Sequence, residues 1–549
     1  MTHSTRSRLR ACLVAATAAL LMTACGIPSL PVPTDAPEAP ATQEDSSTAS
    51  PDHNVHWVAE ENSKPGTPGW SVPEATNAGD RELAAYFDAV SVEPGGAATL
   101  YATSTVGDFD LKAFRLGWYG GVGAREVWHS TAPITGLAQS APLKASDGTI
   151  STNWQPTTTV DTAGWPEGSY LFLMTAKKGS KTRYVPLVVR TPQHRGRLAL
   201  MAPVLTNQAY NAWGGYSLYH GPDNRFTTRS SRVSFDRPYD RNGAMETFKF
   251  DLPIIQRAER LDLDYSYTTT WDVDRYPDTL RGARGIVSLG HDEYWTVPLR
   301  DAVEKARDAG TNLAFLGANA VYWRVRLESG GLGDGRLVAG YKEAKLDPVV
   351  GPTTTALWRQ SPAPRPENSL TGMLYECYPV TADLRVEEEN FFLFRGTGAT
   401  RKKPIPGLIG LEIDRAYPIA GTPANLQVVA HSPVQCPHGG QTFSDMTYYT
   451  APSGAGVFSV GTMGWVNALS ERLAGTKLTQ ASVQFSRTVT DNLLVAMAAG
   501  PMGREHPAIG NVASLKLSAA TTTGTGEPVH SDSPTASPSP RPSATPTRR

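Results

Sequence analysis

The stretch from Gly282 to Arg326, GARGIVSLGHDEYWTVPLRDAVEKARDAGTNLAFLGANAVYWRVR, decides the fold. Residues 285–290 form a short apolar run that ends in glycine, which is typical of a buried parallel strand. Thr296 is a predicted N-cap, and apolar residues at helical spacing follow it up to Gly310. A second apolar run, residues 312–316, predicts another buried strand. The stretch therefore predicts a strand–helix–strand unit with parallel strands.

Polar side chains follow both predicted strands. His291, Asp292 and Glu293 come after the first strand, and Asn319 comes after the second. In open α/β sheets the functional crevice lies beyond the carboxyl ends of the strands, so we expect these residues to meet there. If the chain stays extended, the side chains of His291 and Glu293 lie on the same face. They can then serve as metal ligand and proton carrier, or as acid and base. The alternative is a histidine that bonds a neighbouring loop beside acids that cap the helix.

Asn319 lies in a Gly-Ala-Asn-Ala strand-to-helix turn. An amide is a poor nucleophile but a good hydrogen-bond donor, which favours a role in holding substrate or an oxyanion. The alternative is an asparagine that satisfies its own turn. Residues 207–219, NQAYNAWGGYSLY, follow another predicted strand, residues 198–204. We predict a loop there that forms a pocket wall or supplies a phenolate ligand, although such aromatic residues also pack or stack on sugars.

The chain has 549 residues, which is too long for one core and predicts two domains. Its 51 basic and 52 acidic residues are balanced, so charge does not indicate binding to nucleic acid or to an anionic membrane surface. Alternating apolar residues over 55–192 predict an immunoglobulin-like β-sandwich, with strands at 99–103, 111–116 and 170–175. Residues 195–518 predict an α/β domain with a mostly parallel sheet.

The two ends of the chain have the character of processing and linker segments. Residues 1–25 have arginines before an apolar stretch and small residues before Cys25, which resembles a lipoprotein signal peptide. The resemblance implies export, lipidation of Cys25 and attachment to the cell membrane only through that lipid; the alternative is a secretory signal cleaved near Ala24. Residues 26–54 predict a disordered tether, and residues 519–549 a disordered tail rich in Pro, Ser and Thr.

Four cysteines are present, and two of them fall in the predicted folded part. Cys12 leaves with the signal peptide and Cys25 would carry lipid, so Cys377 and Cys436 remain. In an oxidising compartment this pair predicts a disulfide, with two free buried thiols as the alternative. The sequence contains no His-Glu-x-x-His, Cys-x-x-Cys, phosphate-loop or nucleophile-elbow motif.

Four segments occur in the order found in the large subunit of N,N-dimethylformamidase and its relatives. They are NQAYNAWGG at 207–215, GHDEYW at 290–295, GANAVYWR at 317–324 and YK at 341–342, and RLGWYGG at 115–121 resembles the β domain of that family. The resemblance implies a class I glutamine amidotransferase-like fold for the C-terminal domain. It also implies a mononuclear ferric iron bound by two tyrosines and one glutamate, whose hard oxygen donors suit that ion.

Carried over by motif, the resemblance implies that Glu293 and Tyr210 are two of the iron ligands. Tyr170 is the predicted third ligand, in preference to Tyr184. His291, Asn319 and Lys342 match polar residues around the iron of the family enzyme.

The resemblance implies an iron-dependent hydrolase of a linear amide C–N bond in a small molecule, and the predicted signal peptide implies that it acts outside the cytoplasm. In this hypothesis His291 carries protons and Asn319 orients the oxyanion. The alternative is a non-catalytic surface lipoprotein that binds glycan or cell-wall polymer through its aromatic loops. A carboxylate-based glycosidase is a third hypothesis, and it predicts activity that survives chelation. The sequence indicates neither the substrate nor an oligomeric state.

Overall fold

The structure is a computed structural model, and it describes residues 54–437, 440–470, 473, 476–515 and 517. The predicted signal peptide with Cys25, the predicted tail and all but the last residue of the predicted tether lie outside the described residues. The described residues group as one compact unit, so the boundary at 192–195 between two domains stays a prediction.

The first part of the described chain is mainly β-structure. Its elements are α1 Trp57–Asn62, β1 Leu83–Phe87, β2 Ser91–Val92, β3 Ala97–Ser104, β4 Phe109–Leu116, β5 Ala124–His129, β6 Leu143–Lys144, β7 Ile150–Ser151, β8 Thr158–Asp161, β9 Gly168–Ala176 and β10 Thr182–Val189. A three-stranded sheet has the order β1-β3-β8, and a five-stranded sheet has the order β2-β10-β9-β4-β5. Apolar side chains from both sheets form a common core that includes Leu100 and Phe172.

The three strands predicted in this part lie within β3, β4 and β9 and are confirmed. Side chains along these strands alternate between the shared core and the opposite face, because successive residues of a strand point to opposite sides. The immunoglobulin-like class of this part stays a prediction.

The second part of the chain combines strands and helices. Its elements are β11 Leu198–Ala202, α2 Val204–Tyr210, β12 Arg232–Ser234, α3 Leu252–Ala258, β13 Tyr265–Thr269, α4 Thr270–Arg275, β14 Gly285–Ser288, β15 Tyr294–Trp295, α5 Val297–Asp308, β16 Asn312–Phe315, β17 Trp323–Arg324, β18 Arg326–Gly330, β19 Gly333–Ala339, α6 Asn368–Thr371, β20 Leu374–Arg385, β21 Pro404–Arg415, β22 Gln427–Cys436, β23 Gly440–Thr450, β24 Gly456–Ser459, α7 Gly464–Leu469, α8 Gln480–Ala499 and α9 Met502–Glu505. One π-helical turn, Thr247–Asp251, precedes α3.

A seven-stranded sheet organises this part, in the order β13-β11-β14-β16-β24-β23-β22. Neighbouring strands from β13 to β24 are parallel, and β23 and β22 complete the sheet as antiparallel strands. Both faces are covered. Val287 and Ala314 belong to one core, whereas Ile286 and Leu313 belong to the core on the other face. The assignment to the glutamine amidotransferase-like fold class stays a prediction.

The predicted strand–helix–strand unit is confirmed as β14, α5 and β16. The hydroxyl of Thr296 accepts a hydrogen bond from the Leu299 backbone N–H, which satisfies one of the free donors at the helix start. Leu299 and Val303 lie on one face of α5 and are buried against the sheet. β14 and β16 pair in parallel register, so their carboxyl ends open at the same edge.

The prediction of a loop over residues 207–219 is wrong for its first part, because residues up to Tyr210 belong to α2. Leu205 and Ala209 are four positions apart and both are buried, so one face of this short helix packs into the core. The chain leaves the helix at Asn211 and turns at Gly214, whose φ of 77° a residue with a side chain would rarely adopt.

The two remaining cysteines are bonded to each other. The Cys377–Cys436 disulfide joins β20 to β22, so the prediction from the cysteine count is confirmed. In the part of the chain that the structure describes, no helix has the length and apolar character needed to cross a membrane.

Candidate active site

Three segments bring polar side chains to the carboxyl edge of the parallel sheet. α2 follows β11 and carries Tyr210 at its end, while His291 and Glu293 follow β14 and Asn319 follows β16. β14 lies between β11 and β16 in the sheet, so the three strand ends are adjacent. A site formed from neighbouring strand ends is the arrangement expected of open α/β sheets.

Two phenols and one carboxylate form the centre of the cluster. The Tyr210 hydroxyl donates to Oε2 of Glu293 at 2.8 Å, and the Tyr219 hydroxyl lies 2.7 Å from both carboxylate oxygens. The two hydroxyl oxygens are 2.9 Å apart, and the two rings stack with centroids 4.5 Å apart. Three side-chain groups with oxygen donors therefore converge on one point.

Tyr219 reaches this point because the chain folds back on α2. The Leu218 N–H donates to the Ala209 carbonyl oxygen at 3.0 Å, which closes the segment after the helix into a loop. Tyr219 therefore stands beside Tyr210 although nine residues separate them. The sequence offered one sign of this, since two further tyrosines, Tyr216 and Tyr219, follow the Gly-Gly turn in the same aromatic segment.

Asn319 adopts a left-handed backbone conformation, with φ at 59°. Its backbone N–H donates to Oδ1 of Asp414 at 2.8 Å, and its side-chain Nδ2 donates to Oε1 of Glu293 at 3.1 Å. Non-glycine residues with positive φ concentrate at functional sites, where the surrounding structure holds them in place. Asn319 is therefore fixed with its amide directed at the carboxylate.

Glu412 is a member of the cluster that sequence reasoning missed. Its Oε2 lies 3.3 Å from Nε2 of His291, and the same nitrogen lies 3.8 Å from Oε2 of Glu293. β21 carries Glu412 to this place because its backbone bonds the turn after β24, through Asp414 N–H to Gly461 O and Met463 N–H to Glu412 O. Glu412 follows Glu293 by more than a hundred residues on a different strand, so local sequence carried no signal.

Charge and burial act in opposite directions on the His291–Glu412 pair. Burial alone would lower the pKa of His291, but the negative charges of Glu412 and Glu293 outweigh it and raise that pKa to about 9. Burial would likewise raise the pKa of Glu412, yet the charge of His291 and its hydrogen bond lower it. In the metal-free protein these two residues therefore form an ion pair.

Lys342 also has positive φ, at 65°, and its side chain is buried. Its Nζ donates to the Tyr294 hydroxyl and lies 3.6 Å from the centroid of the Tyr219 ring and 4.3 Å from that of Trp323. Burial lowers the pKa of Lys342 well below its ordinary value, and the charge of Glu293 opposes this shift. Aromatic faces attract a cation, so they stabilise whatever positive charge the amine carries.

The donor set fits a hard metal cation. Burial, followed by the negative charge of Glu293, raises the pKa of both Tyr210 and Tyr219 well above its usual value, so in the metal-free protein both phenols are protonated. Oδ1 of Asn319 is a buried acceptor without a hydrogen-bond partner, and it belongs to the amide whose Nδ2 donates to Glu293. Phenolate and carboxylate oxygens suit ferric iron, and a cation among these groups would give that oxygen a partner.

Among the described residues, no three His, Cys, Asp or Glu side chains group as a metal site would need. A cation in this cluster therefore depends on the phenols as ligands. Both tyrosines are essential to any such site, which makes them the residues to test.

Tyr170 lies elsewhere. Its hydroxyl donates to the Pro166 carbonyl oxygen, and its ring stacks on Trp165 within the core of the β-structured part. Tyr184 is also occupied, since its hydroxyl donates to the Trp70 carbonyl oxygen at 2.7 Å. The structure does not bring Tyr170 to Glu293, because β9 directs the Tyr170 ring into the core of the β-structured part. Tyr219 lies beside Glu293 instead, because its loop closes onto α2.

The chain matches the family described as N,N-dimethylformamidase beta subunit-like, C-terminal, over residues 110–479. The chain belongs to this family. The match covers more than half of the chain, and it begins in β4 and extends to the segment before α8, so it includes every residue of the cluster. A comparison with curated protein sequences gives no match. At the level of the family the protein is a dimethylformamidase-like hydrolase.

Proposed function

We propose that the protein is an iron-dependent hydrolase of a linear amide C–N bond, with Tyr210, Tyr219 and Glu293 as the metal ligands. The observation that carries the proposal is the convergence of both phenol oxygens on one buried carboxylate, within 2.9 Å of each other and 2.8 Å of its oxygens. Family membership supports amide hydrolysis as the reaction class.

Iron bound to this set would supply Lewis-acid polarisation of the amide carbonyl or activation of a water molecule. The remaining roles fall to side chains of the chain. Hydrolysis forms a bond between water oxygen and the carbonyl carbon, breaks the C–N bond and requires a proton on the departing nitrogen. His291, held by Glu412, is the group in the cluster that can hold and deliver that proton.

Asn319 and Lys342 also contact the proposed ligands, Asn319 at Glu293 and Lys342 at the Tyr219 ring. The amide Nδ2 of Asn319 is a hydrogen-bond donor held by a rigid turn, which suits it to orient a developing negative oxygen. Lys342 lies over the Tyr219 ring, and its amine donates to the Tyr294 hydroxyl. Both are proposed catalytic residues, as the family resemblance also implies.

The aromatic residues of segment 213–219 favour the enzyme over a glycan-binding surface. Trp213 is 1% exposed, and the Tyr216 hydroxyl is occupied by Nζ of Lys144. Sugar-stacking residues need an exposed ring face, which a buried indole does not offer.

Metal analysis of the purified protein tests the proposal. We expect about one iron per chain and a visible tyrosinate-to-iron absorption band, together with release of amine from simple amides that stops when iron is removed. Glu293→Gln should lose iron and colour. Tyr216→Phe is the matched control, since its hydroxyl lies in the same segment but bonds Lys144, and it should keep both. A colourless wild-type protein that binds no iron would disprove the proposal.

We also propose that the protein is exported and anchored through lipid on Cys25. The Cys377–Cys436 disulfide supports an oxidising compartment. Mass spectrometry of the protein from its native membrane tests this. We expect a mature chain that begins with diacylated Cys25, and Cys25→Ser should release the protein from the membrane; an unmodified Cys25 in a soluble chain would contradict it.

A further inference from the structure

A cavity of about 80 Å³ lies beside the candidate active site. It is bounded on one side by β9 and β10 of the five-stranded sheet, and on the other by α2 and residues 239–251. Tyr210 lines both this cavity and the cluster around Glu293. Tyr210 is therefore a wall shared by the cavity and the cluster.

The walls of the cavity combine apolar surface with negative charge. Pro186, Val188 and Val204 supply apolar surface. The acidic residues are Asp240, Glu246 and Asp251. Among the described residues that line the cavity, one positive side chain stands against these three acids. It is Arg241, which is 63% exposed and lies 3.9 Å from Asp240. The inner part of the cavity therefore presents carboxyl groups, and no basic side chain lines it there among the described residues.

Asp251 is the deepest charged group of this wall. It is 3% exposed, and its Oδ1 has no hydrogen-bond partner, while the side chains of Asn207 and Thr247 face the carboxyl group. Burial, with a contribution from the charge of Glu246, raises the pKa of Asp251 well above its ordinary value. A buried carboxylate with an unused oxygen is costly unless a cation or a hydrogen-bond donor meets it. The position of Asp251 on a π-helical turn adds to the case, because such turns occur frequently at functional sites.

We propose that this cavity binds an alkylammonium group, with the ammonium at the unpartnered carboxyl oxygen of Asp251 and the hydrocarbon against Pro186, Val188 and Val204. A protonated amine supplies the hydrogen-bond donors and the positive charge that Asp251 lacks, and its alkyl chain removes apolar wall surface from water. An anion would meet three carboxyl groups, and a neutral hydrocarbon would leave Asp251 unpartnered.

The location of Asp251 relative to the cluster sets the kind of substrate. Asn207, which faces Asp251, and Tyr210 are three residues apart on α2, so they lie on one face about 5–6 Å apart at Cβ. An ammonium at Asp251 therefore lies on the side of α2 that carries Tyr210. Resting on the proposed amide hydrolase, this makes the substrate an amide whose short aliphatic chain carries a positive charge.

Titration of the purified full-length mature protein with ethylammonium, butylammonium and hexylammonium, each against the alcohol of equal length, tests the proposal. Calorimetry or NMR provides a readout that needs neither iron nor turnover. We expect affinity to rise with chain length and each cation to bind about 10-fold more tightly than its alcohol. Asp251→Asn should remove this preference and leave the alcohols unchanged. Asp161→Asn, an exposed acid on β8, is the control and should keep it.

Equal binding of cations and alcohols to the wild type would overturn the proposal, as would a preference that persists in Asp251→Asn. Should that variant fail to fold, a crystal structure of the wild type with hexylammonium decides, and density away from Asp251 overturns the proposal. The two proposals fail separately. Ammonium binding by an iron-free, inactive protein would disprove only the proposed hydrolase activity. Amide hydrolysis without a preference for cations would disprove only the proposed ammonium site.

Discussion

The Tyr219 hydroxyl lies 2.7 Å from each carboxylate oxygen of Glu293, although 74 positions separate the two residues in the chain. The Tyr210 hydroxyl approaches the same carboxylate from the neighbouring ring. In the metal-free protein the phenol groups of Tyr210 and Tyr219 keep their protons beside the Glu293 carboxylate. Replacement of those protons by one cation is the simplest chemical use of the arrangement.

Tyr219→Phe and Tyr170→Phe separate the two candidates for the third ligand. We expect Tyr219→Phe to lose iron and the tyrosinate absorption, because the phenol at Glu293 is gone. Its free energy of unfolding should fall by only about 1 kcal/mol, since Tyr210 still donates to the carboxylate. Tyr170→Phe should keep iron, because its hydroxyl bonds Pro166. Visible absorption and metal analysis measure both; loss of iron in Tyr170→Phe alone would reverse the assignment.

Glu412→Gln tests the proton-holding role of the His291–Glu412 pair. Removal of the carboxylate charge leaves His291 without the partner at 3.3 Å, so kcat for amide hydrolysis should fall by about 100-fold or more. Iron content should not change, because Glu412 is not one of the proposed ligands. Glu376→Gln is a suitable control, since that residue bonds Tyr417 and Thr442 outside the cluster. A variant with unchanged kcat would contradict the role.

His194 predicts how stability depends on pH. Its side chain is fully buried with Nδ1 2.8 Å from the Ser266 hydroxyl, and burial, followed by the charges of Arg197 and Arg190, lowers its pKa from 6.5 to about 3. In the unfolded chain His194 therefore binds a proton below about pH 6.5, whereas in the folded protein it does so only below about pH 3. This contribution to stability is complete above pH 6.5 and is lost as the pH falls.

Urea unfolding at a series of pH values measures this effect. Between about pH 6 and pH 4, His194 should lower the free energy of unfolding by up to about 1.4 kcal/mol per pH unit, and His194→Gln should remove that part of the slope. His129→Gln, a change at an exposed histidine, serves as the control. An identical slope in wild type and His194→Gln would show that His194 is not buried in its neutral form.

The Cys377–Cys436 disulfide closes a loop of 59 residues that contains Glu412. The chain-entropy estimate for a loop of this length is about 4 kcal/mol, so the double variant Cys377→Ala/Cys436→Ala should lose roughly that much of its free energy of unfolding. Iron content should persist below the new midpoint, because no ligand lies in the loop. Denaturant unfolding measures the loss, and reduced wild type should match the double variant; equal stability of oxidised and reduced protein would contradict the prediction.

Local patterns were sufficient to predict the βαβ unit around Glu293. The alternation of apolar runs with a capped amphipathic helix depends on neighbouring residues only, and Thr296 forms the cap that the pattern required. The expectation that His291, Glu293 and Asn319 meet at one edge followed from the parallel direction of β14 and β16. The structure of segment 207–219 was harder to predict, because a two-turn helix is stabilised more by tertiary burial of Leu205 and Ala209 than by helix propensity.

Only the tertiary structure brought Tyr219 and Glu412 to the cluster. Tyr219 arrives through the backbone bond from Leu218 to Ala209, and Glu412 through the docking of β21 on the turn after β24. Each contact joins residues whose separation in sequence is unrelated to their distance in space, so periodicity and spacing carry no information about it. The residue types at the strand ends are local properties of the chain, whereas the partners that give them their chemistry are set by loop closure and sheet packing.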